Sequence, residues 1–434
     1  MVSIAQAQQI RTLCTLLVLR AVVSYRSVPR ILKLFDEMGW HPLGWIPHFT
    51  STINWTLRTG LGLLKQVRPI DQPWIAIIDH SIDIGTKKAL VVLRVAMDTV
   101  SMKKRAIRLE DCECVGLSIA EEVNGASIAR ELKAVFDRAG APIAVLKDCD
   151  RTLHKGVRLW NEGQNEAVPT IDDVGHVVAS ALKAQFGETA EFKDFTSLAN
   201  NGAKKLRQTN LAFLTPPRLR SKGRFQSIGK LADWGKKILA VLNGERKRDV
   251  DSLDRLHAAF PNFDQSKKFI KNFASTTQVI SRVMERLKNK GLDQTSYNHC
   301  HELVEQLPSD SETRQRLSSW LQQHLTIQKN ITPGPLLVSS DIIESLFGSF
   351  KHIMERSPQA DMNRTALLIP ALCGKHDDKV IAHALHMANH RDLQKWEKDN
   401  IPYTMRKQRQ EFLGKVKSIN RENSETRMGE ISTA

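Results

Sequence analysis

The strongest constraint on this chain is a pair of apolar runs in its first quarter. Pro73-Trp74-Ile75-Ala76-Ile77-Ile78 ends on Asp79, passes through a short turn at Ile84-Gly85, and resumes as Lys88-Ala89-Leu90-Val91-Val92-Leu93-Arg94-Val95. Runs of this length, apolar at nearly every position, predict adjacent strands buried on both faces. An acid where such a strand emerges is held by a rigid element, which suits a metal ligand or a general base. Taken alone, Asp79 is equally well a turn residue.

Further strands and helices follow in alternation as far as about residue 187. Cys114-Val115-Gly116-Leu117-Ser118-Ile119 reads as a third strand, and Ser127 to Phe136 as an amphipathic helix ended at Gly140. Ala141 to Asp148 is a fourth strand, again ending on an acid. Ala167 to Asp173 is a short fifth, before a helix from Val174 to Phe186. The order predicts an α/β sheet with helices on its faces. Its first and fourth strands lie side by side, so Asp79 and Asp148 meet at one edge.

The chain divides by texture. Residues 1–70 are helical: an amphipathic segment from Val23 to Phe35, a Gly-Trp-His-Pro turn region, then Ser51 to Leu61, with Asn54 and Arg58 four apart on one face. This is the order of a helix-turn-helix, whose second helix enters the major groove; an ordinary helical bundle fits the pattern as well. Residues 71–190 form the first part of the core, 191–335 an all-helical insertion, 336–400 the second part of the core with a capped helix at Ser340 to Lys351, and 401–434 a basic, polar tail.

Charge points to a polyanion. Lys and Arg number 63 against 47 Asp and Glu, a net +16. Between Asn201 and Arg248 stand 13 Lys or Arg and only two acids, Asp233 and Glu245. Arg218, Arg220, Lys222 and Arg224 lie in this stretch. So one-sided a run predicts a phosphate-backbone surface with steep salt dependence. Within it, Trp234 fits either stacking on a DNA base or packing in a core. No run approaches the roughly 20 apolar residues of a membrane span, no cleavable leader is read at the start, and six scattered cysteines without paired CxxC spacing predict free thiols in a reducing compartment.

A third acid, Glu344, opens the late helix. Three converging carboxylates repel one another unless cations bind between them. An all-oxygen donor set suits two Mg²⁺ or Mn²⁺ ions, the pair that activates a water or a 3′-hydroxyl and stabilises the leaving oxygen of a phosphodiester. Competing local readings remain: Asp341-x-x-Glu344 is also a capping box, Asp150 could replace Asp148, and Asp173 with His176 could be a helix cap and a packed histidine. His383, His386 and His390 at helical spacing, and His299-Cys300-His301, lack the partners of a zinc site.

Ile77-Ile78-Asp79, Val145-Leu146-Lys147-Asp148 and Ser340-Asp341-Ile342-Ile343-Glu344 through Lys351, in that order, resemble a DDE transposase of a bacterial-type insertion sequence. The separations are 69 residues from Asp79 to Asp148 and 196 from Asp148 to Glu344. The long second interval resembles hAT-type cut-and-paste enzymes, which interrupt an RNase H-like core with a helical domain. Asp173-Val174-Gly175-His176 matches their D-x-x-H element, and Lys351 matches a basic position two turns after the glutamate. The resemblance implies a mixed sheet with a helical insertion and metal ligation by Asp79, Asp148 and Glu344. It implies DNA contacts by His176 and Lys351, and by Trp234 in the insertion. It also implies action on double-stranded element ends and target DNA as a homodimer or larger assembly, in a bacterial cytoplasm at the nucleoid.

Overall fold

The computed structural model describes residues 3–39, 44–84, 87–102, 105–218, 228–244, 250–354, 363–401 and 409–414, with Phe225, Tyr403 and Lys407. Three helices, α1 (Ile4–Leu19), α2 (Val28–Glu37) and α3 (Phe49–Gln66), precede the sheet. Then come β1 (Trp74–Ile84), β2 (Lys87–Ala96), α4 (Met97–Met102), β3 (Glu113–Ala120), α5 (Gly125–Ala139), β4 (Ala144–Lys147), α6 (Arg151–Asn161), β5 (Thr170–Asp172) and α7 (Val174–Phe186). The insertion holds α8 (Ala190–Leu206), α9 (Gly229–Leu242), α10 (Val250–Ala259), α11 (Lys267–Lys290), α12 (Gln294–Val304) and α13 (Glu312–Ile331). The chain returns through α14 (Asp341–Met354), α15 (Leu368–Ala371), α16 (Asp378–Met387) and α17 (His390–Asn400).

The five strands form one sheet in the order β3-β2-β1-β4-β5. β1, β2 and β3 are an antiparallel meander; β4 runs parallel to β1, and β5 parallel to β4. A meander extended by two parallel strands, with helices on both faces and a helical insertion before α14, is the α/β sheet expected from the strand pattern and the RNase H-like mixed architecture that the resemblance implied.

Alternation along β1 sorts its side chains between two cores. Ile75 and Ile77 join Val91, Leu93, Leu146 and Ile171 on one face, under α3, α7 and α14. Trp74, Ala76 and Ile78 join Leu90, Val92 and Val145 on the other, under α5 and α6. Both faces are dry, which is why these strands read as unbroken apolar runs.

Two expectations need correction here. β1 does not stop at Asp79 but continues to Ile84, with a register shift between Asp79 and Ile82. An irregularity of this kind bends a strand and re-aims the side chain beside it. The polar residues after Asp79 therefore continue an irregular hairpin arm instead of opening a turn.

The second correction concerns residues 1–70. α3 is built into the body of the fold: Thr52, Thr56, Thr59 and Gly60 are buried, with Gly60 against Leu367 and Pro370, Gly62 against Ala384 of α16, Thr52 beside Cys14 of α1 and Thr56 beside Tyr25. Thr56 and Thr59 return their hydroxyls to the carbonyls of Thr52 and Trp55 at 2.8 and 2.9 Å. A recognition helix needs its polar face free; this one spends that face on protein.

Candidate active site

Asp79 reaches the site from β1. Ile75 to Ile78 pair with Ala144 to Lys147 of β4, so Asp79 and Asp148 stand one step beyond the last paired residues on neighbouring parallel strands. Asp79 is buried, 6% exposed, and its Oδ1 accepts the His80 amide at 2.6 Å. By parity it shares the face of Ile75 and Ile77, toward α7 and α14.

Asp148 is half-buried, and its Oδ1 accepts the Asp150 amide at 2.9 Å. Asp150 is otherwise engaged. Its Oδ1 caps α6 through the amides of Thr152 (2.7 Å) and Leu153 (3.1 Å) and meets His80 Nε2 at 3.2 Å. These bonds hold the Asp150 carboxyl below its usual range although burial pushes it up. Of the two acids, Asp148 has the smaller structural duty. The other ring nitrogen of His80, Nδ1, is buried with no partner among the described residues.

The junction between β5 and α14 is made by Asp173. This carboxylate is 2% exposed and serves three donors: Ser340 N at 2.6 Å on Oδ1, and His176 N (2.8 Å) and Nδ1 (3.0 Å) on Oδ2. Val174 N donates to Val338 O at 3.0 Å alongside. Asp173 thus caps α7 and fixes the chain just before α14. Read from sequence, Asp173 and His176 offered a cap or a motif; the geometry shows the cap, with the His176 ring bonded to the same carboxylate.

His176 is where the acids converge electrostatically. Burial alone would depress its pKa, but the Asp173 hydrogen bond and charge reverse that, and Asp148 and Glu344 add to the rise, from 6.5 to about 9. Glu344 itself is exposed on the first turns of α14. Lys351 lies half-buried two turns further along, with no ion pair or hydrogen bond among the described residues. α14 is tied to the insertion by an ion pair between Lys288 and Asp341.

The sign of the pH effect follows. Because His176 is raised in the folded state, its contribution to stability is fully present below about 6.5 and lost as pH rises through about 9. Asp173 is shifted the other way: burial pushes it up, and the bonds from His176 and Ser340 more than offset that. We expect NMR titration of metal-free protein to give a His176 ring midpoint near 9. A midpoint near 6.5 would show that the imidazolium is not held by these acids.

The oxygens of Asp79, Asp148 and Glu344 are hard donors of the kind that suit Mg²⁺ or Mn²⁺. Among the described residues, however, no group of three or more His, Cys, Asp or Glu is gathered in ligand geometry. The donor chemistry fits a dication, while the carboxylates are not closed into a finished cage.

Several residues read from sequence as DNA contacts have other duties. Trp234 is 7% exposed, donates Nε1–H to Leu214 O at 2.8 Å, and packs edge-on to Phe260 and Phe263 at centroid distances of 5.4 and 5.8 Å. It is a core residue of the insertion and has no free face for a base. Arg58 donates Nε and Nη2 to the carbonyls of Ala388 and Leu385 at 2.7 and 2.6 Å, neutralising the end of α16. Asn54 bonds His390 at 2.7 Å. Arg218 is exposed, and Arg220, Lys222 and Arg224 lie outside the described residues. All six cysteines are unpaired, and no helix among the described residues is long and apolar enough to cross a membrane.

No protein-family model matches the chain, and no curated protein does. Among solved structures it is similar to the Drosophila P element transposase strand transfer complex, at 11% identity and a TM-score of 0.39, over 89% of this chain and 93% of that one.

Proposed function

We propose that this chain is a DDE-type transposase, which nicks DNA at the ends of an element and joins the freed 3′-hydroxyl to a target. The reading is carried by one observation: β1 and β4 pair in parallel, so that Asp79 and Asp148 stand one step beyond the last paired residues on neighbouring strands. With Glu344, these acids stand on a strand, a strand end and a helix of an RNase H-like sheet, so each is positioned by a rigid element.

Asp79, Asp148 and Glu344 would hold two Mg²⁺ or Mn²⁺ ions, which supply Lewis acidity and an activated hydroxyl when bound. The protein's own contribution is electrostatic and orienting. His176, held as imidazolium by Asp173, presents a fixed positive charge to a phosphate oxygen. Lys351 lies along the same helix face as Glu344 for the neighbouring backbone. The exposed Arg218 would add to the DNA surface, and chemistry on two element ends implies at least two copies.

A DNA-binding protein without turnover is the second reading, favoured by the carboxylates not being gathered into ligand geometry. The test is nicking of a labelled duplex, carrying the ends of the DNA segment that encodes the chain, with Mg²⁺. We expect Glu344→Gln to lose nicking while retaining duplex binding and to weaken Mn²⁺ binding measured by EPR. Equal nicking by both proteins removes Glu344 from the chemistry; binding without nicking by the wild type selects the second reading.

A further inference from the structure

Beyond the acids, a one-sided basic feature lies on the other face of the sheet. Between α6 and the edge strand β5 opens a pocket of about 340 Å³. α6 contributes Arg151, His154, Lys155 and Arg158, and the rest of the lining is Lys147, Cys149 and Asp172. Spacings of three, four and seven put the α6 residues on a single helix face.

Their placement is specific. Lys147 is 1% exposed and anchored to Asp172 Oδ1 at 2.6 Å, so the one carboxylate in the pocket is already answered. The four side chains of α6 are exposed. Arg158 shares an exposed pair with Glu162 at 3.3 Å; the side chains of Arg151, His154 and Lys155 have no hydrogen bond or ion pair among the described residues. The stem of Lys155 runs across Gly125, where an added Cβ would lie 2.6 Å from its Cγ. Packing of α5 on α6 therefore sets the lysine's course outward.

Exposed cations along one helix face, of which only Arg158 has an ion pair among the described residues, repel one another, which a row of phosphates would relieve. Arg151 to Arg158 spans roughly 10 Å at 1.5 Å per residue, the axial reach of about three phosphates of one DNA strand. Arg151 opens α6 three residues after Asp148, so a strand held at the acids can cross the sheet edge onto α6.

We propose that α6 is a phosphodiester track, with Arg151, Lys155 and Arg158 gripping the backbone of DNA that flanks the reacting bond. The proposal rests on the transposase reading for its ligand, but not on catalysis. The test is anisotropy titration of a fluorescent duplex with the full chain in EDTA, over a range of salt. The wild type is compared with Arg151→Gln/Lys155→Gln/Arg158→Gln and with an equal loss of charge at dispersed exposed sites, Lys33→Gln/Lys133→Gln/Lys379→Gln.

Each lost phosphate contact lowers the slope of log affinity against log salt by about one. The α6 variant should lose roughly two to three units of slope, and the dispersed variant should keep the wild-type slope. An unchanged slope in the α6 variant overturns the track, and the transposase reading then stands or falls separately by nicking. Equal loss in both variants reduces α6 to net charge and also overturns it. Calorimetric binding of tripolyphosphate that is lost in the α6 variant, with the DNA slope intact, would make the pocket a nucleotide site instead. A wild type that binds no duplex removes the track and the transposase reading together.

Discussion

Replacing Asp173 by Ala should destabilise the protein by about 3 kcal/mol and loosen the start of α14. Three donors converge on this buried carboxylate, and Ala removes every acceptor at once. A buried charge pair broken on one side typically costs about 3–5 kcal/mol. The lower end applies because His176 keeps 28% of its side chain in contact with solvent. The loss should be visible locally. Amide exchange should rise at Ser340, and the His176 midpoint should fall back toward its ordinary value. Asp173→Asn separates the two duties, since one amide oxygen can still accept from Ser340 N or His176 N but carries no charge to hold an imidazolium. If Asp173→Ala leaves both the exchange and the titration unchanged, the clamp between α7 and α14 does not operate.

Gly60→Ala should be comparably severe for a different reason. A Cβ at Gly60 would overlap the backbone carbonyl of Leu367, and one at Gly62 the carbonyl of Ala384. α3 therefore approaches the 3₁₀ turn at Arg364–Leu367 and α16 at backbone distance, with no flexible side chain able to yield. Overpacking costs about 1–3 kcal/mol where side chains can move, and a backbone obstacle puts this site at about 3 kcal/mol despite the better helix propensity of Ala. Gly348→Ala is the internal control. It lies on α14 with nothing within 4 Å of the added carbon, so it should stabilise by up to about 1 kcal/mol. The signs of the two ΔΔG values from equilibrium denaturation decide the matter; equal signs would refute the close approach at α3.

Much of the core was legible because its strands are buried on both faces and so leave continuous apolar runs. β2, β3 and β4 fall where those runs fall, β1 begins with its run but continues past Asp79 to Ile84, and the alternation with helices gives their order. Legibility failed where a residue's partner is remote in sequence. Asn54 and Arg58 look like groove-reading side chains because they share one helix face, and the carbonyls that Arg58 neutralises are 327 and 330 residues away. Trp234 sits among lysines in sequence, yet the phenylalanines that enclose it come from α8 and from the turns after α10. Asp173 could be read as a cap from its local pattern, whereas its bond to Ser340 crosses the whole insertion. The α6 stripe was written plainly at helical spacing but dwarfed by the larger charge excess between Asn201 and Arg248.

The burial of α3 under α15 and α16 also fixes an order of events during synthesis. Leu385 and Ala388 leave the ribosome more than 320 residues after Arg58. At about 5–20 residues per second, that is a delay of roughly 15 to 65 s. For that interval the face of α3 at Gly60 and Gly62 has no lid, and the guanidinium of Arg58 has no carbonyls to hold. The sheet and the insertion can form meanwhile from contacts already made. The first helices of this protein are thus among the last to become native, and a growing chain must keep them from other partners until its final helices arrive.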